Sequence, residues 1–129
     1  MPTDLPRIAI VDDDAAVRKA LSRLLKVAKY EATAYSSAEE FLASFESDAP
    51  GCLLVDYQMA KMTGLDLQSH LRETGACIPV IIITAHDEPK IRENCIHSGA
   101  SAFLAKPVGK KELLAAINHA LKIREPCTH

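Results

Sequence analysis

The sequence predicts an open α/β fold, a parallel sheet of five strands alternating with five helices that cover both faces. Three observations predict it. Short, almost wholly apolar runs rich in β-branched residues recur along the chain, the pattern of strands buried on both faces. Between them the apolar residues change to helical spacing, with charged residues on the rest of the wheel. Short joints carrying Asp, Gly or Pro separate the two kinds of segment.

The first strand is Arg7–Val11, which stops at Asp12-Asp13-Asp14. Val17, Leu21, Leu24, Leu25 and Ala28 then recur at helical spacing, so a helix is expected from Ala15 to about Ala28 with Asp14 as its N-cap. Glu31–Tyr35 reads as a second strand. Ser37-Ala38-Glu39-Glu40 has the form of a capping box and opens a helix striped by Phe41, Leu42 and Phe45, ended by Asp48-Ala49-Pro50-Gly51. Cys52–Val55 is the third strand and ends at Asp56. A loop with Met59, Met62 and Gly64 leads to a helix over Leu65–Glu73, with Leu65, Leu67 and Leu71 apolar. Pro79–Ile83 carries the clearest strand signal and stops at Thr84. Glu88 to about Ser98 reads as a helix, with Pro89 in its first turn and Gly99 closing it. Ala102–Ala105 is a short strand before Lys106-Pro107. Lys110–Ile123 is the last helix, amphipathic through Leu113, Leu114, Ile117 and Leu121.

A chain of 129 residues has the size of one domain, so residues 1–129 are expected to form one, with a core over about 7–121. Residues 122–129 read as a tail or the start of a linker. Because 48% of the residues are hydrophobic, a full core needs no metal or disulfide staple. The formal net charge of −2 provides no positive field for nucleic acid or an anionic membrane, so this segment is expected to bind neither. Cys52, Cys77, Cys95 and Cys127 are scattered, without metal-ligand spacing, and read as reduced thiols, with Cys52 and Cys77 packed near strands. The polar start Met1–Arg7 does not resemble a signal peptide, and no apolar run is long enough to span a membrane. A cytoplasmic location is expected.

Chemistry gathers at the strand ends. In an open α/β sheet, ligands bind beyond the carboxyl ends of the strands. The first strand ends at Asp12 and Asp13, the third at Asp56, the fourth at Thr84 and the fifth at Lys106. Carboxylates brought to one point repel each other, and a divalent cation relieves that repulsion. An all-oxygen site suits Mg²⁺ or Mn²⁺, held by Asp12, Asp13 and Asp56 with a backbone carbonyl near Gln58. A carboxylate is also a competent nucleophile toward phosphorus. Lys106 and Thr84 would then meet the oxygens of a transferred phosphoryl group. Singly, each residue has a plainer reading: a helix-dipole acid, a turn residue, a strand cap, a surface lysine. Their convergence on one edge decides between the readings.

At these positions the sequence strongly resembles the receiver domains of two-component response regulators. Asp12-Asp13 is similar to the family's acidic pair. Asp56-Tyr57-Gln58-Met59 with Gly64 resembles its phosphorylation-site loop, Ile83-Thr84-Ala85 its switch threonine, and Lys106-Pro107 its lysine followed by a cis-proline. Phe103 falls where the family carries an aromatic rotamer switch. The resemblance runs from about Arg7 to Leu121, and its general texture is nearest to nitrogen-fixation-type transcriptional regulators.

What the resemblance implies is a flavodoxin-like (βα)₅ sandwich with strand order 2-1-3-4-5. It also implies Mg²⁺-dependent phosphotransfer from the histidine of a sensor kinase to Asp56. The switch would act through the fourth helix, fifth strand and fifth helix, read by a second copy or by a C-terminal DNA-binding output domain. Such a chain is a phosphoacceptor that assists its own phosphorylation and dephosphorylation, not an enzyme of the ordinary kind. Gln58 and His86 occupy positions expected to tune phosphoryl lifetime. Ala60 stands where the family usually has proline, which leaves the shape of that loop open. A flavin-binding module shares the expected architecture, but Asp12–Asp14 would repel a flavin phosphate. A phosphatase with an aspartate nucleophile wants an acid where this chain has Gln58.

Overall fold

The computed structural model describes residues 6–45, 50–59, 62–75, 78–85 and 88–122. Asp48, Ala49, Ala60, Cys77, His86, Ile123 and Cys127 lie outside the described residues. Ten elements alternate along the chain: β1 (Arg7–Val11), α1 (Ala15–Val27), β2 (Glu31–Tyr35), α2 (Ala38–Phe45), β3 (Cys52–Asp56), α3 (Gly64–Glu73), β4 (Val80–Thr84), α4 (Pro89–His97), β5 (Ala102–Ala105) and α5 (Lys110–Lys122). The five strands form one parallel sheet in the order β2-β1-β3-β4-β5. This is the flavodoxin-like (βα)₅ arrangement that the resemblance implies.

The strands are apolar because each central strand is covered twice. Alternate residues of β1, β3 and β4 enter two separate cores. Val11, Val55, Ile82 and Phe103 pack with Phe41 of α2, Leu67 and Leu71 of α3 and Cys95 of α4. Ile10, Leu54, Ile81 and Ile83 pack with Leu21 and Leu25 of α1 and Leu113 and Ile117 of α5. Every residue of β3 and β4 is buried, whereas edge strand β2 leaves Glu31, Thr33 and Ala34 exposed. Cys52 and Cys95 are buried free cysteines, and burial pushes the Cys52 thiol up to about 12, so it stays a packing residue.

Helix boundaries follow from capping. Asp14 accepts the Ala16 N–H, as expected for α1. The helix ends at Val27 rather than Ala28 because Lys29 takes a left-handed conformation, φ 69°, usually reserved for glycine. Lys29 and Tyr30 donate their N–H groups to the carbonyls of Lys26 and Leu25, at 3.0 and 2.9 Å. Ser37 accepts the Glu40 N–H at 3.1 Å, but the Glu40 carboxylate reaches back to the N–H and hydroxyl of Ser36, so the box closes one residue early. The reciprocal box lies at α3, where Thr63 accepts the Asp66 N–H and Asp66 accepts the Thr63 N–H. That box starts α3 at Gly64, one residue before the expected Leu65. β4 begins at Val80 and runs into Thr84, and β3 includes Asp56, each one residue later than expected.

One contact between helices was not anticipated. Ser98 caps the carboxyl end of α4, and its carbonyl accepts from Gln68 Nε2 at 2.7 Å and from Arg72 Nη1 at 2.6 Å, both on α3. Gly99 follows at φ 105°, and a side chain there would abut both donors at 3.5 Å. The buried Gln68 Oε1 has no partner among the described residues, a cost that accompanies placing its amide N–H₂ against that carbonyl.

Ile82 lies fully buried at the centre of β4, between Val55 and Phe103. Ile82→Ala should cost about 2–5 kcal/mol through lost burial and the cavity left behind. The loss should show as a lower urea midpoint with an unchanged slope. A midpoint equal to that of the parent chain would contradict a β4 covered on both faces.

Candidate functional site

The strand order places β1 and β3 side by side, with β1 continuing to β2 on one flank and β3 to β4 on the other. Chain direction around the sheet reverses there, which opens a crevice beyond the carboxyl ends. Register decides which residues stand in it. Val11 pairs with Val55, so Asp12 and Asp56 each follow one residue on. Thr84 pairs with Ala105, so Lys106 is the first residue beyond the neighbouring strand. Sequence and register therefore deliver these side chains to one edge.

Asp12, Asp13 and Asp56 each offer a carboxylate oxygen within 4.8 Å of the others. Asp12 is 1% and Asp56 7% exposed, while Asp13 faces solvent. Lys106 Nζ donates to Asp12 Oδ2 at 3.1 Å and lies 3.4 Å from Asp56 Oδ2. The second oxygen of each acid meets a backbone donor: Asp14 N–H to Asp12 Oδ1 at 2.9 Å, and Gln58 N–H to Asp56 Oδ1 at 3.3 Å. The Gln58 side chain is exposed beside the site.

Burial raises the Asp56 pKa above the usual carboxylate range, and the Asp12 charge adds to the effect, opposed by Lys106. For Lys106, burial works to lower the pKa, but the hydrogen bond and charge of Asp12 and the charge of Asp56 outweigh it and the pKa is raised. Among the described residues the Lys106 ammonium pairs with two of the three clustered carboxylates, so negative charge remains in excess at the carboxylate oxygens. Hard oxygen donors with surplus charge at a partly open edge fit a hexacoordinate divalent cation that keeps some of its waters.

Backbone geometry brings the start of α3 close against the Asp56–Tyr57 backbone. Tyr57 donates its N–H to Ile83 O at 2.8 Å, and Gly64 donates to Tyr57 O at 2.9 Å. A Cβ on Gly64 would lie 2.8 Å from the Asp56 carbonyl oxygen and 3.2 Å from Tyr57 Cα, so only glycine lets α3 start this close to the acid. Thr84 is fully buried at the end of β4, and its carbonyl accepts the Lys106 N–H at 2.8 Å. Phe103 is turned inward, 5% exposed, with the Arg92 guanidinium carbon 4.9 Å from its ring centroid. The Lys106-Pro107 bond is cis, as the resemblance implies.

Sequence reasoning had not singled out Arg18, whose Nη1 donates to the Asp12 carbonyl at 2.7 Å, or Arg92 over Phe103. An arginine one helical turn after the Asp14 cap was the available signal for the first. Nothing in the sequence marked the second, since it depends on the packing of α4 against β5.

Fold and cluster together define a class: an open-sheet domain with a carboxylate pocket and a lysine at the carboxyl edge of its central strands. The sequence profile of the response regulator receiver domain matches residues 8–118, and the chain belongs to that family. It is 42% identical over 116 residues to response regulator protein TodT of Pseudomonas putida, covering 90% of this chain and 51% of the relative. Transcriptional regulatory protein TdiR of Thauera aromatica is 34% identical over 116 residues, with coverage of 90% and 51%. The chain thus spans about half the length of these curated relatives. Among solved structures, full-length FixJ from B. japonicum aligns with a TM-score of 0.89 at 31% identity, covering 96% of this chain and 61% of that one. FixJ-N gives 0.88 at 30% identity, covering 96% and 99%.

Asp56 holds its proton more tightly in the folded chain than in the unfolded one. Its contribution to stability is therefore present in acid and lost as pH rises through its folded-state pKa. Asp56→Asn removes that loss. In chelated, metal-free buffer, variant and parent should differ least in urea stability well below the carboxylate range. The difference should grow in favour of the variant toward neutrality. A difference that stays constant with pH would contradict the raised pKa.

Proposed function

We propose that this chain is the phosphoacceptor module of a two-component system and that Asp56 takes a phosphoryl group from the phosphohistidine of a sensor kinase. The observation that carries the reading is the position of Asp56. It ends a fully buried central strand within reach of two further carboxylates and 3.4 Å from the Lys106 ammonium. Its carboxylate oxygen forms the new O–P bond while the N–P bond of the donor phosphohistidine, its ring in the imidazolium form, breaks. The bonding pair stays on nitrogen, leaving an acyl phosphate on Asp56 and a neutral imidazole on the kinase.

Asp12, Asp13 and Asp56, with the backbone carbonyl of Gln58, would hold Mg²⁺ or Mn²⁺. A bound cation there offsets charge on the phosphoryl oxygens. Lys106 acts as a point charge that leaves the Asp12–Asp56 pair for a phosphoryl oxygen. The Thr84 hydroxyl donates to another oxygen, drawing the end of β4 inward, and Phe103 responds by exchanging between inward and outward positions. Gln58, exposed beside the site, and His86, two residues beyond Thr84 in the sequence, set the lifetime of the acyl phosphate.

The altered surface is that of α4, β5 and α5. Its reader is a second copy of the domain or a C-terminal DNA-binding output domain, consistent with relatives about twice as long. With a net charge of −2, this segment itself is not the DNA-binding part, and the protein acts in the cytoplasm to regulate transcription. No helix among the described residues is long and apolar enough to cross a membrane. The chain signals through its own modification rather than turning over a substrate.

Incubation with acetyl phosphate and Mg²⁺ should add one phosphoryl group by intact mass. Asp56→Asn and EDTA should each abolish the addition. With beryllofluoride in place of the phosphoryl group, amide shifts should change across residues 88–121 as well as around Asp12 and Asp56. Labelling of Asp56→Asn at the parent rate would refute the acceptor, and shifts confined to the site loops would refute the switch.

A further inference from the structure

We propose that Arg18 is a positioning residue for the acidic cluster, setting the angle at which Asp12 and Asp13 present their carboxylates to a divalent cation. The inference rests on the cation-binding reading of that cluster. Asp12 donates its own N–H to Tyr35 O at 3.2 Å, and among the described residues its oxygens accept three hydrogen bonds. Two of them, from Asp14 N–H at 2.9 Å and Lys106 Nζ at 3.1 Å, occupy the carboxylate oxygens that a cation would use. The third is of another kind. Arg18 Nη1 donates to the backbone carbonyl at 2.7 Å and so occupies no carboxylate oxygen itself.

That carbonyl belongs to the peptide joining Asp12 to Asp13, so its orientation sets the plane from which both side chains spring. Asp12 is buried at the end of β1, but Asp13 is exposed in the turn before α1. A hydrogen bond from a charged donor holds this peptide more firmly than a neutral one would. The donor is itself well anchored. Arg18 N–H donates to Asp14 O at 3.0 Å, so the residue belongs to the first hydrogen-bonded turn of α1. The guanidinium therefore ties the start of α1 back over the end of β1 and closes the turn that carries Asp13.

Removing a group that orients metal ligands typically weakens metal binding by roughly 10- to 100-fold. The test is calorimetric titration with Mg²⁺ of the parent, Arg18→Ala, Arg18→Lys and Ile82→Ala, beside urea unfolding of each in EDTA. Arg18→Ala should remain folded and bind Mg²⁺ about tenfold more weakly or worse. Arg18→Lys should recover part of the loss, because an ammonium can still donate one bond to the Asp12 carbonyl. Ile82→Ala, less stable but with Arg18 in place, should bind like the parent. Arg18→Ala binding as tightly as the parent would overturn the proposal, and so would an equal loss in Ile82→Ala. A parent chain that binds no Mg²⁺ would overturn the cation reading itself, an outcome recognisable because every variant would then be silent.

Discussion

Lys106 Nζ reaches Asp12 Oδ2 at 3.1 Å and Asp56 Oδ2 at 3.4 Å, bridging the ends of two central strands from a third. Without that ammonium, the middle of the sheet would end in two buried carboxylates facing each other with a third acid alongside. Ionised groups in such surroundings lose hydration and regain it only from a counter-charge. The cluster is therefore tolerated rather than comfortable, as the raised pKa of Asp56 records. Sites that need a cation or an incoming charged group keep such unbalanced charge ready.

The rest of the molecule holds those few atoms in place. Two separate apolar layers fix β1, β3 and β4 from above and below, so the strand ends have little freedom. The α3 backbone approaches Asp56 through Gly64, and the other half of the same helix holds the end of α4 through Gln68 and Arg72. One helix thus touches both the strand that ends at Asp56 and the helix over Phe103. The amino-terminal cap residue of α4, Glu88, makes no side-chain cap hydrogen bond.

Much of this was legible in the sequence because burial on both faces leaves continuous apolar runs, and Pro79–Ile83 cannot be read otherwise. The acidic pair, Asp56, Thr84 and Lys106 were legible because each ends such a run. Boundaries were less so. The Thr63–Asp66 box lies just after a loop and carries aspartate where glutamate is the commoner signal. Lys29 closes α1 in a conformation that its side chain disfavours, so no glycine marked the end. Arg18, Gln68, Arg72 and Arg92 read as helix-surface residues. Their targets are a backbone carbonyl or a ring from another element, and such partners leave no periodic trace in the sequence.

If crowded carboxylates are the central constraint, folding stability must be linked to a divalent cation at neutral pH. Urea unfolding of the intact chain across a series of Mg²⁺ concentrations measures that linkage directly. Above its dissociation constant, a cation bound only by the folded state adds about 1.4 kcal/mol of stability per tenfold increase in concentration. The parent should follow that slope, and Asp13→Ala should be nearly flat. A parent whose stability does not depend on Mg²⁺ would contradict the account.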